Sequence, residues 1–428
     1  MLSFLKDKKL FVFLMILSLI LFIHTFYKAE IIWNGANNKF YLQYYILSLL
    51  FFCIGLTTLF LSSSLKKIFI VIFISIIFSF YLFEFYDAYI KEKKKIVDNR
   101  FNVFQNMREE TPNLTMMIPP KSYLNVENID FFPLSGLSNM KTVFCNENGY
   151  MSIYDSDRYG FNNPDEQWDY NEIEYFVVGD SFGHGACVNR PNDIASKLRK
   201  YSNLPTINVS FSGNGPLSEY ASLLEYSKNK SIKNIVWLFY EGNDYSNLND
   251  ELKNEILMKY FKDENFYQNL KSLQSKTDTF GEKIISAEED RYKKIKNTKF
   301  ISFLKLNNLR KYIQIHQVNF DKKDQPINEF NEIFKKVYNK AESLDAKLIF
   351  VYLPEYKSFE LNSSNQEIYF ETLSNVKNKN VQIIDVREYF KNNDPHSFFP
   401  FRKNGHYTIE GYDKIAKLIF NLRLTNNE

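Results

Sequence analysis

Three apolar stretches dominate the start of the chain. Residues 10–26, 41–62 and 68–83 are nearly uninterrupted runs of Leu, Ile, Phe and Val. A helix rises about 1.5 Å per residue, so roughly 17–25 apolar residues cross a ~30 Å hydrocarbon core. The pattern predicts three transmembrane helices, forming an anchor over residues 1–87. Lys6, Lys8 and Lys9 precede the first run much as in a signal peptide. Two further runs and the lack of a small-x-small cleavage site favour a membrane span instead.

The pattern changes after the third run. Residues 88–170 read as a juxtamembrane connector. They hold a charged, helix-like stretch at 91–107, then Pro112, Pro119 and Pro120. Short strands follow at 141–154 around an Asn-Glu-Asn-Gly turn. From 171 to 428 short apolar runs alternate with amphipathic stretches. Strands are expected at 174–178, 206–209, 234–240, 347–353 and 381–386. Helices are expected at 191–201, 216–228, 328–344, 365–377 and 410–421. Such alternation predicts an α/β domain, a parallel sheet with helices on both faces. Residues 245–326 interrupt the alternation with charged helical segments at 251–260, 264–274, 287–292 and 300–314. This insertion follows Asn243 and is expected to act as a cap over the neighbouring site.

Charge adds an orientation. Lys6, Lys8, Lys9, Lys66 and Lys67 place the N-terminus inside, leaving residues 88–428 beyond the cytoplasmic membrane. Lys91, Lys93, Lys94 and Lys95 oppose this, but they open a long domain, and long domains translocate largely regardless of charge. The expected location is a multi-pass inner-membrane protein with its large domain in the periplasm or exterior. A net charge of +3 leaves no nucleic-acid footprint. The 41 Phe and 29 Tyr read as compositional bias alongside abundant Lys, Asn and Ile. Of three Cys, Cys53 lies in the second apolar run. Cys145 and Cys187 either pair in an oxidising compartment or stand as two buried thiols.

Four windows carry the chemistry: Val178-Gly179-Asp180-Ser181-Phe182-Gly183, Asn208-Val209-Ser210-Phe211-Ser212-Gly213, Gly242-Asn243-Asp244, and Asn404-Gly405-His406-Tyr407-Thr408. Eight of the 14 Gly fall in or beside them. Acyl transfer needs a nucleophile, a base and preorganised oxyanion donors. Ser181 and His406 suit the first two roles. The backbone of Ser181 and Gly213 and the amide of Asn243 suit the third. Each has a plainer reading: Ser181 as a helix cap, Asn243 as a turn residue. Asp180 and Asp244 read as braces of their turns and His184 as a surface residue. His396 is a rival base without the trailing Gly and helix. Asp155, Asp157 and Glu166 half-match a calcium loop but lack flanking helices. No metal or cofactor is expected.

Taken in order, the windows resemble the SGNH hydrolases, the GDSL-type esterases and acyltransferases, over residues 171–428. The resemblance implies a three-layer α/β/α flavodoxin-like domain, with Ser181, Gly213, Asn243 and His406 as the catalytic set. It implies an O-acyl (acetyl) ester substrate, by analogy on a cell-surface saccharide. The partners expected are the lipid bilayer and membrane glycan-synthesis or export machinery. The family places an Asp three or two residues before its His, where this chain has Lys403 and Asn404. The expectation is therefore a Ser-His dyad, with a backbone carbonyl near 402–404 accepting from His406. Asp394 is the alternative third member. The missing Asp also leaves open a degenerate domain that binds glycan without catalysis.

Overall fold

The computed structural model describes the chain except residues 1–8, 33–34, 36–37, 88–99, 124–129, 298, 313–324, 361–365, 378–380 and 426–428. It divides into two compact units, one of residues 1–96 with 292–321, the other of 97–291 with 322–428.

The first unit is built on helices Lys9–Phe26, Asn38–Leu59 and Ser63–Phe85. The spans Phe11–Ile31, Tyr41–Leu59 and Ser63–Phe85 are each long and apolar enough to cross a membrane, the first running on into the π-helical turn Tyr27–Ile32. Large side chains such as Phe13, Ile20, Leu49, Val71 and Phe78 point outward, as expected where lipid replaces water. Ser62 caps the third helix through Leu65 N–H. The same helix ends at a buried Glu84. Its carboxylate accepts the backbone N–H groups of Asn308 and Leu309, at 3.0 and 2.9 Å. Tyr81 donates to the Leu304 carbonyl. The insertion's helices Lys299–Leu304 and Asn307–Tyr312 thus pack against the third apolar helix.

The second unit is the α/β domain. Its main sheet holds five strands: β4 (Glu172–Gly179), β5 (Thr206–Asn208), β6 (Ser231–Tyr240), β7 (Lys347–Leu353) and β8 (Gln382–Asp385). All pair in parallel, in the order β5-β4-β6-β7-β8. This is the flavodoxin-like order, with its switch point beside the first strand of the sheet. The strands read as continuous apolar runs because both faces are covered. On one face Phe176, Trp237, Phe239 and Phe350 meet Leu217 and Tyr220 of helix Pro216–Ser227 and Phe330 and Phe334 of helix Ile327–Ser343. On the other, Tyr175, Val177, Leu238 and Val351 meet Ile194 and Leu198 of helix Ile194–Ser202 and Ile415 and Ile419 of helix Ile409–Thr425. Three layers result, as the alternation predicts.

Segment 97–170, expected as a connector, lies in this unit. It contributes a small sheet of β1 (Leu114–Met116), β2 (Lys141–Val143) and β3 (Ile153–Asp155). The expected helix at 91–107 appears as Arg100–Arg108, and its first residues lie outside those described. In the insertion the helical boundaries differ from expectation. Helices occupy Asp244–Glu251, Leu257–Lys262 and Gln274–Asn297, with only a short 3-10 turn inside 264–274. Among the described residues the first two pack on helix Pro216–Ser227.

Candidate active site

The three strands β5, β4 and β6 are neighbours, so the turns that leave their C-terminal ends lie side by side. The first turn carries Ser181. Strand β4 ends at Gly179, Asp180 follows, and a single helical turn Ser181–His184 begins. Asp180 caps that turn, its Oδ1 accepting Phe182 N–H at 2.8 Å. Burial raises the Asp180 carboxyl above its ordinary range, and hydrogen bonds and His406 oppose that rise. It braces the turn as expected, and its Oδ2 also lies 3.2 Å from Ser181 Oγ, as a second acceptor beside His406 for that hydroxyl.

His406 lies on the loop before helix Ile409–Thr425, which Thr408 caps by accepting Gly411 N–H. Its Nε2 is 2.9 Å from Ser181 Oγ. The imidazole rests on Phe182, with ring centres 4.7 Å apart. Phe182 is in turn stacked on Tyr240 at 3.9 Å and packed on Tyr407 at 4.6 Å. Tyr407 is anchored by its hydroxyl donating to Pro354 O.

The third position corrects the sequence-based expectation. His406 Nδ1 meets neither a backbone carbonyl near 402–404 nor Asp394. It lies 3.0 Å from Glu147 Oε2, and the same oxygen accepts the His406 backbone N–H at 2.5 Å. Asp394 is exposed and paired with Arg402, and Asn404 and Lys403 are exposed. Burial pushes the Glu147 carboxyl up. The hydrogen bonds and charge of His406 outweigh this and hold it below its ordinary 4.5. Ionised Glu147 can only accept, so it selects the tautomer with the proton on Nδ1. The Nε2 lone pair then faces the Ser181 hydroxyl. Gly405 makes room for this pairing, since a Cβ there would lie 2.7 Å from Glu147 Oε2.

Two links fix the Glu147 loop. Cys145, two residues before Glu147, is disulfide-bonded to Cys187, which follows the Ser181 turn. Asn148 donates to the carbonyls of Cys187 and Tyr407, at 3.1 and 3.4 Å. Glu147, Cys187 and His406 also gather ligand-type atoms. Cys187 is committed to the disulfide, however, and Glu147 and His406 bond each other, so the set fits a relay rather than a metal.

The second turn holds Gly213 in the left-handed region, at φ +89°, which favours glycine. Its neighbours are pinned. Phe211 N–H donates to Gly179 O at 3.1 Å and Ser212 N–H to His184 Nδ1 at 3.2 Å. Glu251, from the insertion's first helix, accepts Gly215 and Leu217 N–H at 2.7 and 3.0 Å. Burial raises Glu251 to about 7. His184, expected on the surface, is fully buried between Phe144 and Phe211. Burial, then the charge of His406, pull it down to about 3, so it stays neutral.

The third turn carries Asn243, which opens helix Asp244–Glu251 but makes no side-chain capping bond. Asp244 braces the turn by accepting Tyr240 N–H at 2.7 Å. Asn247 ties this turn to the second by donating to Asn214 O. The other candidates fall elsewhere. His396 packs at a tilt against Tyr356, and Asp157 is buried, accepting from Tyr159, Phe161, Asn163 and Trp168. Sequence reasoning passed over Glu147 and Glu251. The signal for Glu147 was its place two residues after a Cys able to pair beside the nucleophile turn.

Several solved structures resemble this chain, two of them as follows. One is a putative lipolytic protein of the G-D-S-L family from Desulfitobacterium hafniense DCB-2. It is 14% identical, matched over 58% of this chain and 97% of its own, with a TM-score of 0.34. The other is protein YXIM from Bacillus subtilis, 12% identical, matched over 60% of this chain and 57% of its own, with a TM-score of 0.34. No protein-family model and no curated protein matches the chain.

Proposed function

We propose that this chain is a membrane-anchored serine esterase or O-acyltransferase that works through an acyl-enzyme on Ser181. The observation that carries the reading is the line Glu147–His406–Ser181, with contacts of 3.0 and 2.9 Å at the C-terminal edge of a parallel sheet. Its logic is that of a Ser-His-acid triad. Ser181 Oγ attacks the ester carbonyl while His406 Nε2 takes its proton. Glu147 holds the tautomer and stabilises the imidazolium. The backbone N–H groups of Ser181 and Gly213 and the Asn243 amide receive the oxyanion. Collapse expels the alcohol, which recovers the proton from His406. Water or a second alcohol then attacks the acyl-Ser181 carbonyl, His406 takes that proton, and Ser181 regains it as the acyl group leaves.

The substrate class is an O-acyl ester, an acetylated cell-surface saccharide in the reading that the membrane anchor favours. The Cys145–Cys187 disulfide supports an oxidising compartment, and hence the domain lying outside the cytoplasmic membrane. A binding-only domain rested on the missing Asp, and Glu147 now answers that absence. The test is hydrolysis of p-nitrophenyl acetate by the full-length chain in detergent. Turnover lost in Ser181→Ala supports the reading, and equal rates in both contradict it. A reporter active only in the periplasm, fused after Glu428, tests the orientation. Activity of a cytoplasmic reporter instead would reverse it.

A further inference from the structure

In the resembled family the acid precedes the base by two or three residues, so the chain itself holds the pair together. Here the acid and base are 259 residues apart in sequence. Glu147 also sits on a turn without regular secondary structure, between β2 and β3. Something other than chain continuity must hold its carboxylate against His406.

We infer that the Cys145–Cys187 disulfide is the clamp that positions Glu147, so the esterase is fully active only when oxidised; this inference rests on the function proposed above. The connections form a closed ring. From Glu147 two residues lead back to Cys145, and the disulfide crosses to Cys187. Cys187 is fully buried in the left-handed region at φ +63°. Its neighbour Ala186 donates its N–H to the Ser181 carbonyl at 3.0 Å and accepts from the Tyr412 hydroxyl at 3.0 Å. Ser181 meets His406, and His406 meets Glu147 again. The disulfide sulfur of Cys187 lies 3.9 Å from His406 Nδ1, so the cross-link runs alongside the acid–base contact it supports. Asn148 is the second tether, bridging Cys187 O and Tyr407 O.

Outside this ring the base of the turn is paired at Ser152, whose N–H donates to Cys145 O at 2.8 Å and whose hydroxyl oxygen accepts Cys145 N–H at 3.3 Å, but these bonds stop two residues short of Glu147. Residues 145–148 are only partly buried and Gly149 is exposed, and Glu147's side-chain hydrogen bonds are those to His406 itself. A dithiol reductant supplies two electrons and two protons, converting the cystine to two thiols and itself to a disulfide. The loop is then left to Asn148 and to the Ser152 contacts at its base. Glu147 spends less time in register, and the relay loses the ordering that matters in the transition state rather than in substrate binding. Cys145 and Cys187 are positioning residues, acting only through Glu147.

The experiment is a cycle on the full-length chain with p-nitrophenyl acetate, wild type and Glu147→Gln each assayed oxidised and after dithiothreitol. Thiol labelling confirms opening and far-UV circular dichroism confirms folding. Reduction is expected to lower wild-type kcat at least tenfold with KM little changed, to be reversed by reoxidation, and to leave Glu147→Gln within about twofold. Unchanged turnover with both thiols labelled would overturn the clamp. So would an equal loss in Glu147→Gln, or unfolding on reduction, since each makes the bond a general staple. Asn148→Ala checks the same loop with the disulfide intact. A kcat loss confined to the Glu147 background supports the clamp, and a loss equal in both backgrounds opposes it. An oxidised wild-type chain without turnover would instead refute the esterase reading.

Discussion

Replacing Glu147 by Gln probes the feature that sets this site apart. The substitution keeps size and shape but removes the charge, and it offers an NH₂ where His406 Nδ1–H needs an acceptor. If the amide nitrogen faces Nδ1, the imidazole adopts the other tautomer, and Nε2 then carries a proton and cannot take one from Ser181. The comparable Asp→Asn change in a serine protease, a worked case for the Ser-His-Asp triad, costs about 10⁴ in kcat. Here the carboxylate has a 33% exposed side chain, so water screens its charge and can partly replace it. The loss expected is therefore smaller, about 10²–10³ in kcat. That corresponds to roughly 3–4 kcal/mol at ~1.4 kcal/mol per tenfold. KM should change little, since the interaction strengthens as the imidazolium forms. Steady-state kinetics of the full-length chain with p-nitrophenyl acetate give both constants. A folded Glu147→Gln chain that keeps kcat within about fivefold of wild type would refute the assignment of Glu147 to the relay.

Other expectations follow from the same geometry. Asn243→Ala should lower kcat by about 10²–10³ if its amide meets the oxyanion, and kinetics that leave kcat intact would return it to the status of a turn residue. Gly405→Ala should cost at least about tenfold by displacing Glu147, and the cost should vanish in a Glu147→Gln background. Asp394→Asn should change kcat/KM less than about tenfold, because Asp394 is exposed and bound to Arg402. His184 binds its proton only near pH 3 when folded, against an ordinary 6.5. The unfolded chain therefore takes up a proton first, and stability falls as pH drops from about 6.5 toward 3. Thermal melts between pH 7 and 4 should show a shallower fall for His184→Gln than for wild type.

Much of the fold was legible because its signals are local. Strand β7 lies at the predicted 347–353, and the apolar run of β6 reads directly from burial on both faces. Ser181, Gly213, Asn243 and His406 could be named as candidates because each sits in a short window at a strand end or helix start. Glu147 was hidden because its partner is distant in sequence and its own turn has no periodicity. His184 was misread for a similar reason. Flanked by Gly183 and Gly185, it shows no apolar pattern, yet Phe144, just after β2, covers it. The insertion's helices were misplaced because tertiary partners such as Glu84 and helix Pro216–Ser227 set their limits.

The most direct test of the central claim is peptide mapping after treatment with a fluorophosphonate, which reacts only with an activated serine. A single adduct on Ser181 is expected in the oxidised full-length chain, none in His406→Ala and slower labelling in Glu147→Gln. An unlabelled Ser181 in the folded wild-type chain, or equal labelling rates in all three, would contradict it.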